Sequence, residues 1–170
     1  MIELRALSPE LHDVVRNLWQ LYRHDMSHFV GTHGPDGFVG SLPDEQGRFH
    51  ERSLAPLLDG AGDGYLFFSG DNAVGFAFVV PRGDGSMMGH FFVARGLRGH
   101  GVAAAAAREL FARHSGSWSV PFQEANTIAG RFWRRLAGEV AGGDVREERR
   151  PVPGKPDVPD DVWLAFRTGV

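Results

Sequence analysis

Residues 87–110, MMGHFFVARGLRGHGVAAAAAREL, decide how this chain folds and where it binds a ligand. An apolar run typical of a β-strand meets a glycine-containing turn that carries Arg95 and Arg98. An alanine-rich helical pattern begins directly after that turn. The first turn of a helix presents N–H groups without intrahelical partners, and the helix dipole favours negative charge there. The stretch therefore predicts a binding site for a phosphate-bearing molecule.

Length and composition indicate one globular domain that spans residues 1–170. The chain is 42% hydrophobic and 23% charged, and its net charge of −3 gives no sign of a nucleic-acid partner. It has no cysteine, which excludes disulfides and thiolate catalysis. No apolar run approaches the ~18–20 residues of a membrane span, and the N-terminus lacks the apolar core of a signal peptide. We therefore expect a cytoplasmic protein without a membrane partner.

The hydrophobic pattern predicts an α+β fold, with a mixed, mostly antiparallel sheet flanked by about four helices. Strands are predicted over residues 2–7, 65–69, 73–80, 86–94, 118–123, 140–149 and 162–167. Helices are predicted over residues 9–23, 49–58, 99–114 and 125–136. Residues 30–48 are rich in glycine, proline and aspartate, which is typical of a long functional loop.

The glycine turn fits two motifs, and the first is a dinucleotide-binding fingerprint. Residues 99–104, GHGVAA, match G-x-G-x-x-G/A, and Glu124 lies at the distance where such folds place the ribose-binding acid. That fingerprint normally opens a series of βαβ units, whereas here it follows strands predicted to be antiparallel. An NAD(P)-binding enzyme is therefore the less favoured alternative.

The second motif begins one residue earlier, at Arg98. Residues 98–103, RGHGVA, match R/Q-x-x-G-x-G/A, which resembles the acetyl-CoA-binding signature of the GCN5-related N-acetyltransferase (GNAT) superfamily. Asn126, Ala129 and Phe132 match the N-x-x-A-x-x-F/Y helix of that superfamily, and the predicted order of elements agrees with it over the whole chain. Residues 20–29, 89–103 and 122–136 resemble a bacterial branch of predicted acetyltransferases within it.

This resemblance implies acetyl-CoA as the acyl donor and a bulged fourth strand that is splayed from the fifth. The pantetheine arm would enter the gap and pair with the backbone of the fourth strand, where one N–H would polarise the thioester carbonyl. Arg98 would add positive charge at the pyrophosphate. The implied cofactor-binding residues are Phe92, Val93, Arg98, Gly99, His100, Gly101, Val102, Ala103, Asn126 and Phe132.

The resemblance also implies where acid–base chemistry would occur. The superfamily often has a glutamate on the fourth strand before the thioester site, and this chain has His90 there. An imidazole with a pKa near 6.5 could act as the catalytic base; the alternative is a buried, hydrogen-bonded sheet histidine. The usual general acid is a tyrosine after the Phe132 position. Here that position is Trp133, whose indole N–H cannot act as an acid, which leaves Tyr22, Tyr65 or a water for that role.

A histidine-containing segment follows the first predicted helix. His24 and His28 are spaced i, i+4, with Asp25 between them and His33 further on. Three interpretations are open: an exposed helix end, a metal site, or a wall of the acceptor pocket, which the resemblance places at the loop after the first helix. We carry His24 and Asp25 forward as candidate substrate-binding residues and predict no metal.

These inferences combine into one predicted activity. The protein would transfer an acetyl or related short acyl group from coenzyme A to a primary amine of a small molecule. Because there is no cysteine to carry the acyl group, the amine would attack directly in a ternary complex. The alternative is an acyl-CoA-binding module without catalysis, suggested by Trp133 and the missing glutamate. A homodimer is left open.

Overall fold

A computed structural model describes residues 2–30 and 42–169, and in them the strands form one seven-stranded sheet of order β1-β2-β3-β4-β5-β7-β6. The strands are β1 (Ile2–Ala6), β2 (Asp63–Ser69), β3 (Asn72–Arg82), β4 (Gly85–Val93), β5 (Gly116–Gln123), β6 (Arg146–Arg150) and β7 (Asp161–Thr168). The helices are α1 (His12–Val30), α2 (Ala55–Leu58), α3 (Val102–Arg113) and α4 (Thr127–Val140), with 3-10 turns at Pro9–Leu11 and Arg95–Leu97. Within these ranges no helix combines the length and apolar character that crossing a membrane requires.

Helices cover both faces of the sheet, and each face has its own apolar cluster. On one face, α3 and α4 pack Leu110 and Leu136 against sheet residues such as Trp118. On the other face, α1 packs Trp19, which is fully buried, against Phe76 and other residues of β2, β3 and β4. The two clusters fix the sheet between two helical layers, which confirms the predicted α+β class.

Most differences from the predicted boundaries have local causes. The helix predicted from residue 99 begins at Val102, because Gly99 and Gly101 have positive φ angles of 80° and 78°. The strand predicted over residues 140–149 begins only at Arg146, because α4 continues to Val140. The helix predicted over residues 49–58 is reduced to the single turn of α2. Part of the predicted loop, residues 31–41, lies outside the described residues.

The predicted bulge and splay of the fourth strand are both present. The register between β3 and β4 shifts between Phe78 and Val79, whose partners are His90 and Met88, so Gly89 is the additional residue. β4 runs parallel to β5, but in the described structure the two strands pair only at Ser86 and Met87 of β4. Beyond Met87 the strands separate, and the second half of β4 borders an open gap.

Candidate functional site

The turn after β4 presents unpaired backbone N–H groups at the start of α3. The first intrahelical bond runs from the N–H of Ala105 to the carbonyl of Gly101, at 2.9 Å. The N–H groups of Val102, Ala103 and Ala104 precede that bond and therefore lack helical partners. Residues 98–101 are exposed, so an anion can reach this end of the helix. The geometry is that of an anion-binding helix N-terminus.

The glycines of this turn are required by its backbone conformation. Gly101 is the N-cap of α3 in the left-handed region, and Gly99 has a similar φ. A Cβ added to either glycine would have no atom within 4 Å, so space inside the protein is not what excludes a side chain. Only glycine adopts this conformation without strain, and a small residue also allows close approach of a phosphate.

The arginines of the turn are held by a carboxylate from α1. Asp25 accepts hydrogen bonds from Arg95, at 2.7 Å to Oδ1, and from Arg98 at Oδ2. Burial opposes ionisation, but these hydrogen bonds prevail and lower the pKa of Asp25, which is therefore a carboxylate at neutral pH. Asp25 is thus bonded to both arginines of the glycine turn, and its role in acceptor binding stays a prediction. His24 beside it is exposed.

The backbone groups of Phe92 and Val93, the two residues predicted to face the thioester, point to opposite sides of β4. The N–H of Ala94 donates to the carbonyl of Val74 on β3, at 2.8 Å. Because backbone groups alternate in direction along a strand, those of Phe92 also face β3 and those of Phe91 and Val93 face the gap. The Val93 carbonyl accepts a bond from Nε of Arg98, at 2.9 Å. Of the predicted pair, Val93 is therefore the residue whose N–H borders the gap.

His90 lies on the α1 side of the sheet, next to a tyrosine. Its Nδ1 is 3.0 Å from the hydroxyl of Tyr22, and the ring of Trp19 is 4.9 Å away between centroids. Burial, assisted by the charge of Arg23, lowers the pKa of His90 to about 4. Burial also raises the pKa of Tyr22 to about 12. At neutral pH the pair is uncharged, so His90 lacks the near-neutral pKa for which the sequence suggested it as a base.

The α4 side of the gap contains the second predicted motif. Asn126 is the N-cap of α4, and its Oδ1 accepts a bond from the N–H of Ala129, at 3.1 Å. Phe132 stacks on Phe91 with 6.2 Å between ring centroids. Trp133, in contrast, is buried with its edge against Phe91, at 5.1 Å, and is part of the core. Phe132 thus contacts the splayed half of β4, Asn126 caps the helix that carries Phe132, and Trp133 lies in the core against Phe91.

Replacing Trp133 with tyrosine is therefore expected to leave turnover unchanged and to lower stability. The substitution leaves space in the core and buries a hydroxyl group, which costs about 1–3 kcal/mol of unfolding free energy. Thermal unfolding and the rate of thiol release measure the two effects. Phe132→Tyr at the neighbouring, half-buried position is the matched control and is expected to lose less stability. A higher turnover for Trp133→Tyr would show that protonation of the leaving thiolate limits the rate.

Tyr22 and Tyr65, the remaining acid candidates, lie in different places. The Tyr65 hydroxyl is 2.7 Å from Nε2 of His114, the residue that follows α3. Tyr22 contacts His90 on the splayed half of β4. Of these two tyrosines only Tyr22 lies within hydrogen-bond distance of a predicted site residue, His90. The raised pKa of Tyr22 makes it a weak acid.

The dinucleotide-binding alternative loses support from the geometry. Glu124, the candidate ribose-binding acid, accepts two hydrogen bonds from Arg149, each at 2.5 Å. Among the described strands only β4 and β5 pair in parallel, which does not fit a series of βαβ units. The residues that the structure describes contain no group of three side chains placed to hold a metal ion. His33, part of the suggested metal set, lies outside them.

A surface cavity of about 490 Å³ lies at the other end of β4, where β4 is still paired with β5. Its lining includes Arg82, Ser86, Ser119 and Arg146. None of the predicted site residues lines it. The backbone geometry of the turn and the gap, rather than this cavity, therefore defines the candidate site.

The fold, with its splayed β4 and β5, is similar to that of solved acetyltransferases of the GNAT family. A GNAT-family acetyltransferase from Streptococcus agalactiae superposes with a TM-score of 0.70 at 12% identity, covering 99% of this chain and 96% of that one. The ribosomal-protein-S18-alanine N-acetyltransferase of Escherichia coli has a TM-score of 0.64 at 12% identity, covering 100% and 96%. A GNAT-family acetyltransferase from Elizabethkingia anophelis with acetyl-CoA bound has a TM-score of 0.56 at 12% identity, covering 98% and 97%.

Comparison of the sequence alone adds no family assignment. No protein-family model matches the chain, and no curated protein matches it. At 12% identity the structural likeness shows the fold, and the activity has to be argued from the site.

Proposed function

We propose that the chain is a single acyl-CoA N-acyltransferase domain, residues 1–170, that uses acetyl-CoA as its donor. The observation that carries this proposal is the gap between β4 and β5, which leads to unpaired N–H groups at the start of α3. An extended arm with an anionic group at one end fits a gap bordered by strand backbone and closed by a helix N-terminus. One structural neighbour, from Elizabethkingia anophelis, has acetyl-CoA bound.

Each part of the gap would have a separate role in the reaction. The pyrophosphate would accept hydrogen bonds from the backbone of the predicted turn residues, Gly99, His100, Gly101, Val102 and Ala103. The pantetheine would lie along the free backbone edge of Phe91 and Val93, between Asn126 and Phe132 on one side and α1 on the other. The N–H of Val93 would donate to the thioester oxygen as negative charge develops on it.

The acyl acceptor is proposed to be a primary amine of a small molecule. The amine nitrogen would form a bond to the thioester carbon, the carbon–sulfur bond would break, and the proton lost by nitrogen would pass to solvent or to a nearby base. A neutral His90 can accept a hydrogen bond from such an amine, and His24 remains a candidate on the same helix as Tyr22. The structural neighbour from Escherichia coli is named for a ribosomal protein, so the fold alone does not choose between a protein and a small molecule as the acceptor.

Ligand-dependent stability tests the proposal. Acetyl-CoA at about 100 times its Kd should stabilise the folded protein by about 2.7 kcal/mol, seen as a rise in Tm, whereas NADH should have no effect. Thiol release from acetyl-CoA is then measured against a panel of small amines, with a peptide amine for comparison. Amine-dependent release supports the transferase. Binding without release would indicate an acyl-CoA-binding module, and stabilisation by NADH alone would contradict the proposal.

A further inference from the structure

Helix α1 contacts the splayed half of β4 at two points that are one helical turn apart. Tyr22 reaches His90, and Asp25 reaches Arg98, which is bonded to the carbonyl of Val93. The spacing i, i+3 places Tyr22 and Asp25 on the same face of the helix. Both contacts are made beyond Met87, where β4 has separated from β5.

Because β4 separates from β5, its second half lacks a partner on one side among the described strands, and the contacts with α1 help to hold it in position. A strand normally obtains its position from ladder hydrogen bonds on both sides, and in the described structure residues 90–93 have a strand partner only in β3. The carbonyl of Val93 faces the gap and would be left to water without Arg98. The guanidinium of Arg98 satisfies this carbonyl and lies 5.6 Å from the centre of the Phe92 ring.

Asp25 fixes the orientation of that guanidinium. Its side chain is only 17% exposed, whereas those of Arg95 and Arg98 are 76% and 41% exposed. A single, partly buried carboxylate thus bridges two arginines that would otherwise repel each other. With two positive charges and one negative, the cluster keeps one positive charge, so it still favours an anion at the turn.

We infer that Asp25 is a positioning residue of the donor site: through Arg98 it holds the Val93 peptide in the orientation that the pantetheine and the thioester require. This inference rests on the proposed function. The alternative is that Asp25 competes with the donor, its carboxylate occupying the place that the pyrophosphate would take. The geometry supports positioning because Arg98 is bonded to β4 as well as to Asp25, and because the N–H groups of α3 are not bonded to Asp25.

Asp25→Asn tests the inference because it removes the charge and keeps the shape. We expect the Kd for acetyl-CoA to rise about tenfold, as charge-assisted bonds to both arginines are weakened. We expect the KM for acetyl-CoA to rise by a similar factor, with little change in the KM for the amine. Asp13→Asn, which breaks an exposed ion pair with Arg16 on the same helix, is the matched control and should leave both constants unchanged.

A double-mutant cycle shows whether Asp25 acts through Arg98. In an Arg98→Gln background, Asp25→Asn should weaken acetyl-CoA binding less than about twofold further, because the two residues form one unit. Asp25→Glu should restore part of the affinity lost in Asp25→Asn. Additive effects, or tighter binding by Asp25→Asn, would overturn the inference. If the wild-type protein does not bind acetyl-CoA, the proposed function fails instead, so the two failures are distinguishable.

Discussion

Replacement of Gly101 with aspartate is expected to abolish acetyl-CoA binding while leaving the fold intact. The new carboxylate would lie at the N-cap of α3, beside the N–H groups that the pyrophosphate is proposed to use. Two like charges at about 4 Å repel by about 4 kcal/mol at an effective dielectric constant of ~20. Since each 1.4 kcal/mol is a factor of about ten, we expect Kd to rise at least about 100-fold.

Aspartate is chosen because it should affect ligand binding at position 101 much more than the stability of the fold. Aspartate is a favourable N-cap residue, and it tolerates the left-handed conformation better than most side chains. A Cβ at Gly101 has no neighbour within 4 Å, so no packing contact is disturbed. The unfolding free energy without ligand should therefore fall only by the strain of one left-handed residue, about 1–2 kcal/mol, whereas the rise in Tm with acetyl-CoA should disappear.

Two control variants separate charge from backbone strain. Gly154→Asp places the same side chain at a φ of 72° in the connection between β6 and β7, also with no atom within 4 Å. It should bind acetyl-CoA like the wild type. Gly101→Ala adds the strain without the charge and should weaken binding less than aspartate does. Wild-type affinity in Gly101→Asp would show that the pyrophosphate does not bind at this turn.

The glycine turn could be predicted because its determinants are local. Positive φ angles at Gly99 and Gly101, and the start of a helix directly afterwards, depend on consecutive residues. The same holds for Asn126, whose capping bond to Ala129 spans three positions. Even so, the sequence placed the start of α3 three residues too early, because the pattern of apolar residues does not reveal φ.

The sequence offered a buried, hydrogen-bonded histidine as one of two interpretations of His90, but the partners of His90 and Asp25 could not be predicted because they come from distant parts of the chain. Asp25 meets Arg98 across 73 positions, and Tyr22 meets His90 across 68. The i, i+3 spacing of Tyr22 and Asp25 shows only that they share a helix face. It does not show that this helix face lies against the second half of β4, which pairs only with β3 in the described structure. The charge state of His90 likewise follows from the rings that surround it, which no local pattern specifies.

Replacement of His90 with glutamine is expected to remove much of the loss of stability on acidification. The pKa of His90 is about 4 in the folded protein and about 6.5 in the unfolded chain, so below pH 6.5 the unfolded chain takes up a proton first. Stability therefore decreases as the pH falls from 6.5 to 4, by about 3 kcal/mol for a shift of this size. Above pH 6.5 neither state binds the proton, and the contribution is fully present.

Denaturant unfolding at a series of pH values measures this dependence. The difference in unfolding free energy between pH 6.5 and pH 4 should be smaller in His90→Gln by roughly that 3 kcal/mol. Glutamine can still hydrogen-bond to Tyr22, so the variant retains the link between α1 and β4. His12→Gln, at the start of α1, is the matched control for loss of a histidine. An unchanged dependence in His90→Gln would contradict a buried, neutral imidazole.

The same variant decides whether His90 is the catalytic base. A histidine with a pKa of about 4 stays neutral over the range of pH 6 to 9, so its titration cannot shape the rate there. We therefore expect kcat/KM to rise with pH as the acceptor amine loses its proton, in the wild type and in His90→Gln alike. If the wild type shows an acid limb near pH 6.5 that the glutamine variant lacks, His90 titrates in the free enzyme and acts as the base. That result would mean that the rings of Trp19 and Tyr22 leave the imidazole of His90 more accessible to water in solution than the structure shows.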